Sequence, residues 1–514
     1  MERALSLNIW SAAWFRPELV LTFGILLLLL LDLGWKKSRY RVLILTVAAL
    51  LVFGTSAACL AYQPVGRAAM FNGMIVSDPF ATFFKWLFLG AGILTVLISA
   101  RSIELGPPRI GVYYALLTSV VLGMFLMASS FDLLMLYLAV EMVSLPSYAI
   151  AGYKPGDRRA AEASLKYVIY GGVASGIMLF GLSYIYGLTG TTSLEGLGAK
   201  LDALAVPAAA GSQAALRAAL LISVIFVLCG IGYKIAAVPW HMWCPDVYEG
   251  APTPFTAFLS VGPKAAGFAL AIRVLYSALA SASGDEGFAR GLVEVPWPAV
   301  VGLLSAVTMT LGNLSALHQT NLKRLLAYSS ISHAGYALMG LSAASLLGVQ
   351  SVMIYLLVYL VMNVGAFLAV ILIAQATGSE TVADCNGLAK RHPLLAVSFA
   401  VFLFSLTGIP PLAGFTGKWY LFVAVLDHYA GDGGTWYVAL AVVAALNTAV
   451  SLFYYIRIVR AMFIEEPKGD IVVRPKLGYQ LMLGAFSAAL LLFGIWWTPL
   501  IDWTQKSLLF CLRG

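Results

Sequence analysis

Charge is the first thing this sequence lacks. Only 11% of its 514 residues are Asp, Glu, Lys or Arg, against about a quarter in an ordinary globular chain. Long polar stretches are missing too, so no linkers divide the chain into soluble domains, and a soluble enzyme, a disordered protein and a fibrous repeat are all excluded. Cysteine is scarce: Cys59, Cys229, Cys244, Cys385 and Cys511 stand apart with no CxxC pair. That argues against disulfides, a zinc site and an iron–sulfur cluster. Walker A, Rossmann and haem motifs are absent, so the chain has no visible means of using ATP or doing redox chemistry. Its energy must come from an ion gradient or a partner. The N-terminus lacks a basic segment, short apolar stretch and A-x-A site, so no removable signal peptide is expected.

What is present is hydrophobic sequence, 61% of the chain, in runs with cores such as Ile25–Leu31 and Phe399–Phe404. A spanning helix needs about 20 mostly apolar residues. By that ruler the chain reads as an all-α membrane protein with about fourteen transmembrane helices. They fall near 17–34, 41–62, 79–100, 111–130, 132–153, 162–188, 216–239, 254–281, 295–316, 324–346, 348–376, 393–427, 434–463 and 477–500. Continuous runs, with no ten-residue alternation, exclude a transmembrane barrel. Segments 63–78, 189–215 and 282–294 read as connecting loops, so residues 1–514 form a single polytopic domain.

The charge balance is 32 − 24 = +8. No basic run is interleaved with base-stacking aromatics, so nucleic acid is not the expected partner; the lipid bilayer is. Lys and Arg collect on cytoplasmic loops. Seventeen of them, from Lys36 to Lys476, lie in or beside loops after odd-numbered spans, and eight lie on the other side or at the termini. The odd loops are therefore expected in the cytoplasm and both termini outside it.

The remaining seven basic residues, Lys85, Lys166, Lys234, Lys264, Arg273, Lys418 and Arg457, fall inside spans. A charge at mid-membrane costs at least about 2.5–3.5 kcal/mol and marks function by default. Lys85, Lys166, Arg273 and Arg457 lie near span ends and read as side chains that snorkel to the interface. Lys234, Lys264 and Lys418 lie deep. Among the acids only Glu141 sits about halfway along a span, in Tyr137-Leu-Ala-Val-Glu-Met-Val-Ser-Leu-Pro146. A buried ammonium beside a movable carboxylate can load a proton as the carboxylate approaches and release it as the carboxylate withdraws. A guanidinium cannot, because it does not deprotonate. The plain alternative is a static Glu–Lys pair that fixes helix register. One pair needs one lysine, and three central lysines favour a relay.

Helix-breaking residues cluster beside these charges: Gly230-Ile-Gly-Tyr-Lys234 through Pro239, Pro252-Thr-Pro254 with Gly262-Pro263-Lys264, and Thr407-Gly-Ile-Pro-Pro-Leu-Ala-Gly414 before Lys418. At membrane depth, open backbone is tolerated only where protein or a water-filled cavity covers it. Interrupted segments in corresponding places of two halves point to an inverted-repeat transporter. Spans four to eight (111–281) and nine to thirteen (295–463) make two five-helix units, with Lys234 and Lys418 each in the fourth helix. Units of five helices in tandem must be inverted. Lys264 has no charged counterpart in the second unit, where Asn447 is the nearest polar residue. His333, about mid-span in helix ten, titrates near neutrality and suits a carrier between lysines, though it also suits a satisfied core histidine. His241, Asp246 and Glu249 lack metal-site spacing and read as structural.

Four stretches carry a resemblance: Glu141–Tyr153, Glu162-Ala-Ser-Leu-Lys166-Tyr, Lys234–Pro254 and Asn321–Gly335. Through them the chain resembles the antiporter-like subunit N family of bacterial respiratory complex I, the NADH:quinone oxidoreductase, over nearly its whole length. The resemblance implies fourteen helices with inverted repeats, discontinuous helices seven and twelve, and one proton channel driven by redox chemistry elsewhere. Glu141 then matches the family's helix-five glutamate, Lys234 its helix-seven partner, Lys264 the helix-eight connecting lysine and Lys418 the helix-twelve lysine. Lys166 matches a helix-six lysine. The sister subunit M carries glutamate at the helix-twelve position, so Lys418 argues against it. No cofactor is implied in this chain; NADH, FMN, iron–sulfur clusters and quinone would bind partner subunits. The implied partners are neighbouring antiporter-like and small membrane subunits in a bacterial inner membrane. Two rivals remain, an Mrp-like cation/proton antiporter subunit and a non-pumping scaffold. A related option is a subunit of a hydrogenase, or of a complex fed by another electron donor such as ferredoxin.

Overall fold

The computed structural model describes residues 11–204, 210–278, 297–431, 434–467 and 475–508. The principal helices are α1 (Arg16–Gly34), α2 (Arg41–Ala61), α3 (Pro79–Ser99), α4 (Ile110–Ser129), α5 (Leu133–Ala151) and α6 (Arg158–Thr189). After them come α7, in segments Ala210–Ile235 and Trp243–Gly250, α8 (Thr253–Ile272), α9 (Trp297–Leu317), α10 (Leu322–Ser342) and α11 (Leu346–Thr377). The last are α12, in segments Pro393–Thr407 and Ala413–Gly431, α13 (Trp436–Phe463) and α14 (Leu477–Ile495).

Twelve helices among the described residues are long and apolar enough to cross a membrane. The two expected spans outside that set, α10 and α12, are interrupted by polar residues or by a break. Helix α10 carries Ser329, Ser330, Ser332 and His333, all buried, and α12 is cut in two. Helix α10 tolerates its polar residues because neighbours cover it on every side: nearly all of it is buried. By contrast, α1 and α14 leave leucines such as Leu30, Leu33 and Leu481 exposed, as lipid-facing helices do.

Two of the three expected loops contain structure. Residues 63–78 include a hairpin, β1 (Ala68–Met70) antiparallel to β2 (Ile75–Ser77). Residues 189–215 hold the short helix Leu194–Leu204, and α7 begins within them at Ala210. Residues 282–294 lie outside the described residues.

The loops sort to two ends. At one, Ile75 bridges Ser130 and Asp132 bridges Ser193, joining the connections after α2, α4 and α6. At the other, Lys154 pairs with Glu104 at 3.3 Å, and Lys323 with Glu380 at 3.1 Å. Asn321 bridges Thr381 there, so the connections after α3, α5, α9 and α11 share that end.

One local arrangement occurs twice. The Leu133 N–H, at the start of α5, donates to Thr192 O at 2.8 Å, and the Leu194 N–H to Phe131 O at 3.0 Å. At the start of α10 the Leu322 N–H donates to Glu380 O at 2.7 Å, and the Val382 N–H to Thr320 O at 2.9 Å. Asp132 caps α5 and Asn321 caps α10, each accepting from backbone N–H groups of the first turn. The next helices, α6 and α11, are both 32 residues long and end at left-handed glycines, Gly190 and Gly378.

Candidate functional site

Both broken helices leave backbone groups without helical partners, and side chains take them up. In α7 the helix stops at Ile235, Ala236 takes a positive φ of 57°, and Pro239 has no N–H to give. The freed Val238 N–H donates to Thr308 Oγ1 on α9 at 3.1 Å. Lys234 sits in the last turn of the first segment, where the negative end of the helix dipole favours a cation. In α12, Gly408 adopts the left-handed conformation (φ 89°) that ends the first segment. The second segment opens against it. A Cβ on Gly414 would come 1.7 Å from Ser405 O, so only glycine lets the two segments approach this closely. The orphaned Thr407 carbonyl then accepts from Lys418 Nζ at 2.9 Å.

The three deep lysines are all buried, 2–4% exposed. Lys234 Nζ donates to Ser144 Oγ at 2.6 Å. Lys264 Nζ donates to Ser330 Oγ at 2.7 Å and to Ser330 O at 3.0 Å. Lys418 Nζ, besides Thr407, lies 4.2 Å from the centre of the Tyr336 ring. Among the described residues none of the three makes an ion pair. Glu141, on α5, lies within coulombic range of Lys234, but its Oε1 is buried with no hydrogen-bond partner. Ser144, and not Glu141, takes the hydrogen bond of Lys234.

His333, 3% exposed, is held between two tyrosines: its Nδ1 pairs with the Tyr355 hydroxyl and its Nε2 with the Tyr455 hydroxyl at 3.3 Å. Ser329, one turn earlier, pairs with Tyr455 at 2.5 Å. A tyrosine-lined seam thus joins α10, α11 and α13 around His333.

Lys166 is placed apart from these groups. It is 36% exposed and pairs with both Glu162 and Asp246 at 2.6 Å. Asp246 also binds Arg324 at 2.6 Å, and Arg324 reaches Glu249 at 3.1 Å. This network ties α6, the second segment of α7 and α10 together.

Two of the expected snorkelling residues do not snorkel. Lys85 is fully buried and lies 2.6 Å from Glu18, itself fully buried on α1. Arg273 is buried too, bonded to Asp78 at 2.7 Å and to Ala128 O at 3.1 Å. In both cases an acid near a helix start offers an ion pair that water would otherwise replace. Arg457 is half-buried and caps the end of α9 by donating to the carbonyls of Leu317 and Gln319.

The serines and tyrosines that hold the lysines and His333 are the contacts that charge alone does not reveal. Their signal lay in helical spacing: Ser144 is three residues after Glu141, and Ser330 three before His333, which puts each pair on one helix face.

Buried lysines beside broken membrane helices define an antiporter-like membrane subunit. In keeping with that, residues 130–447 match the family described as the transmembrane part of NADH:quinone oxidoreductase and Mrp antiporters. NADH-quinone oxidoreductase subunit N from Anaeromyxobacter sp. (strain Fw109-5) is 65% identical over 504 residues, covering 98% of this chain and 97% of the relative. A chain of respiratory complex I from Thermus thermophilus superposes with a TM-score of 0.74 at 30% identity, covering 95% of this chain and 98% of that one. A chain of the Mrp complex from Dietzia sp. DQ12-45-1b shares the fold, with a TM-score of 0.79 at 22% identity and coverage of 96% and 98%. The chain belongs to the NADH-quinone oxidoreductase subunit N family.

Proposed function

We propose that this chain translocates protons within a respiratory NADH:quinone oxidoreductase. Glu141, Lys234, Lys264, His333 and Lys418 form the relay, and Lys166 stands at its cytoplasmic edge. The observation that carries the reading is three buried lysines that make no ion pair among the described residues and are held by neutral oxygens. A fixed scaffold would have neutralised them with carboxylates, as Glu18 does for Lys85. An ammonium held only by hydroxyl and carbonyl groups can be discharged by losing its proton, and it leaves no uncompensated carboxylate behind.

The relay runs through two inverted five-helix units, 111–281 and 295–463. The duplicated loop pairing before α5 and α10 supports this, since the two copies sit at opposite ends of the molecule. The end that carries Glu104, Lys154, Lys323 and Glu380 faces the cytoplasm, following the excess of Lys and Arg in its loops. Both termini face outward from the bacterial inner membrane. NADH, FMN, iron–sulfur clusters and quinone belong to partner subunits, and neighbouring antiporter-like and small membrane subunits deliver the driving signal.

The Mrp chain's shared fold makes a cation/proton antiporter the reading to test against. Purification through a tag on this chain should bring down a peripheral arm with flavin and iron–sulfur clusters. In vesicles, NADH oxidation should acidify the lumen without sodium. Dissipation of a sodium gradient by the purified chain, with no such arm attached, would favour the antiporter.

A further inference from the structure

Lys264 and His333 sit on neighbouring helices, yet no direct bond joins them. Lys264 gives its hydrogen bonds to Ser330, one turn before His333 on α10. Both ring nitrogens of His333 are taken by Tyr355 and Tyr455. Between these two clusters lies Tyr359 of α11. Its ring centre is 5.1 Å from that of His333, and its hydroxyl is close enough to Ser330 to interact with it electrostatically without closing a hydrogen bond of ordinary geometry. That hydroxyl is 3% exposed by residue and closes no hydrogen bond.

Tyr359 is not alone in this. One turn further along α11, Asn363 donates to Ser260 Oγ at 2.5 Å, while its Oδ1 is buried with no partner. Ser260 is itself one turn before Lys264 on α8. Two orphaned polar atoms therefore lie one turn apart on one face of α11, against the turn of α8 that carries Lys264. Leaving such an atom unpaired costs roughly 1–3 kcal/mol, and buried polar groups are ordinarily satisfied by protein or ordered water. A hydroxyl that is both donor and acceptor, left open between two titratable groups, suits proton transfer better than packing.

The duplicated loop pairing adds an independent argument. Leu133 and Leu322 make equivalent bonds at the starts of α5 and α10. Eight residues beyond them stand Glu141 and Ser330, and eleven residues beyond stand Ser144 and His333. Lys264 thus docks on the α10 position that matches Glu141 on α5. A neutral hydroxyl there can relay a proton but cannot store one as a carboxylate can.

We propose that the Tyr359 hydroxyl, with Ser330, is the step that carries protons between Lys264 and His333; this rests on the relay reading above. In the forward direction Lys264 Nζ gives a proton to the Ser330 oxygen as the Ser330 proton moves to the Tyr359 oxygen. The Tyr359 proton then moves, through one water molecule, to the Tyr355 oxygen as the Tyr355 proton passes to His333 Nδ1. Each hydroxyl accepts one proton and releases one, so only Lys264 and His333 change charge.

Tyr359→Phe is the discriminating variant. It keeps the ring against His333 and Tyr355 and removes an oxygen that closes no hydrogen bond of ordinary geometry, so a structural role predicts unchanged or slightly better assembly and unchanged pumping. The relay predicts normal assembly and normal NADH:ferricyanide activity with NADH-driven proton uptake into vesicles slowed about tenfold or more. The solvent deuterium isotope effect should rise as well. Ser330→Ala should behave alike, and Lys264→Ala serves as the reference. Loss of pumping in Lys264→Ala with full pumping in Tyr359→Phe would overturn the Tyr359 step alone. Full pumping in all three would overturn the relay itself.

Discussion

Lys234 donates to Ser144 Oγ at 2.6 Å, and Glu141, three residues before Ser144 on the same face of α5, leaves a buried carboxylate oxygen without a partner. The two charges therefore share a neighbourhood without closing a salt bridge. A closed pair would need several kcal/mol to open. In the proposed relay, serine as the resting partner lets Glu141 move toward or away from Lys234 at small cost, and each movement would change how strongly the ammonium holds its proton.

Replacing Lys418 by arginine tests whether that residue must titrate. Arginine retains the cation for Thr407 O and for the Tyr336 ring but does not lose its proton. Membranes carrying Lys418→Arg should contain assembled complex and show little coupled proton movement. Wild-type pumping in that variant would mean that a fixed charge suffices.

The Glu18–Lys85 pair should behave as structure. Neither charged group has a hydrogen bond to anything else, and the ammonium lies 5.7 Å from the Phe125 ring centre. Removing one partner strands a buried charge, at a cost of about 3–5 kcal/mol, while replacing both with apolar residues of similar size is close to neutral. Glu18→Gln and Lys85→Met should each lower the thermal midpoint of the purified complex. Glu18→Leu combined with Lys85→Met should recover most of that loss and pump normally.

Glu104 supplies a pH-dependent contribution at the charged end of the molecule. Burial pushes its carboxyl upward, but Lys323, Lys154 and the Thr253 N–H outweigh that and hold it below the ordinary range near 4.5. A lowered carboxylate contributes stability at neutral pH, and that contribution fades as the pH falls through the lowered value. Glu104 accepts from Thr253 N at 2.6 Å, the bond that fixes the link between α7 and α8, so Glu104→Gln should cost roughly 1–3 kcal/mol at pH 7. The melting difference between wild type and variant should shrink below pH 4.5; a constant difference across that range would remove the charge from the explanation.

The span pattern, the two helix breaks and the deep lysines are legible in the sequence, because a charge or a proline in a long apolar run is conspicuous. Lys85 and Arg273 were not. Position along a helix does not say which neighbour waits beside it, and Glu18 and Asp78 come from helix starts far away in the chain. The polar seam on α10 escaped for a related reason. Ser329, Ser330 and Ser332 are unremarkable in a sequence, and only the packing of α8, α11 and α13 around them turns hydroxyls into partners for Lys264 and Tyr455.

Proton carriage by Lys234 is the step on which the proposed relay depends. The ratio of protons moved to electrons transferred, measured in vesicles holding the complete complex, should drop clearly in Lys234→Ala while assembly and electron transfer from NADH to ferricyanide stay at wild-type levels. An unchanged ratio would contradict it.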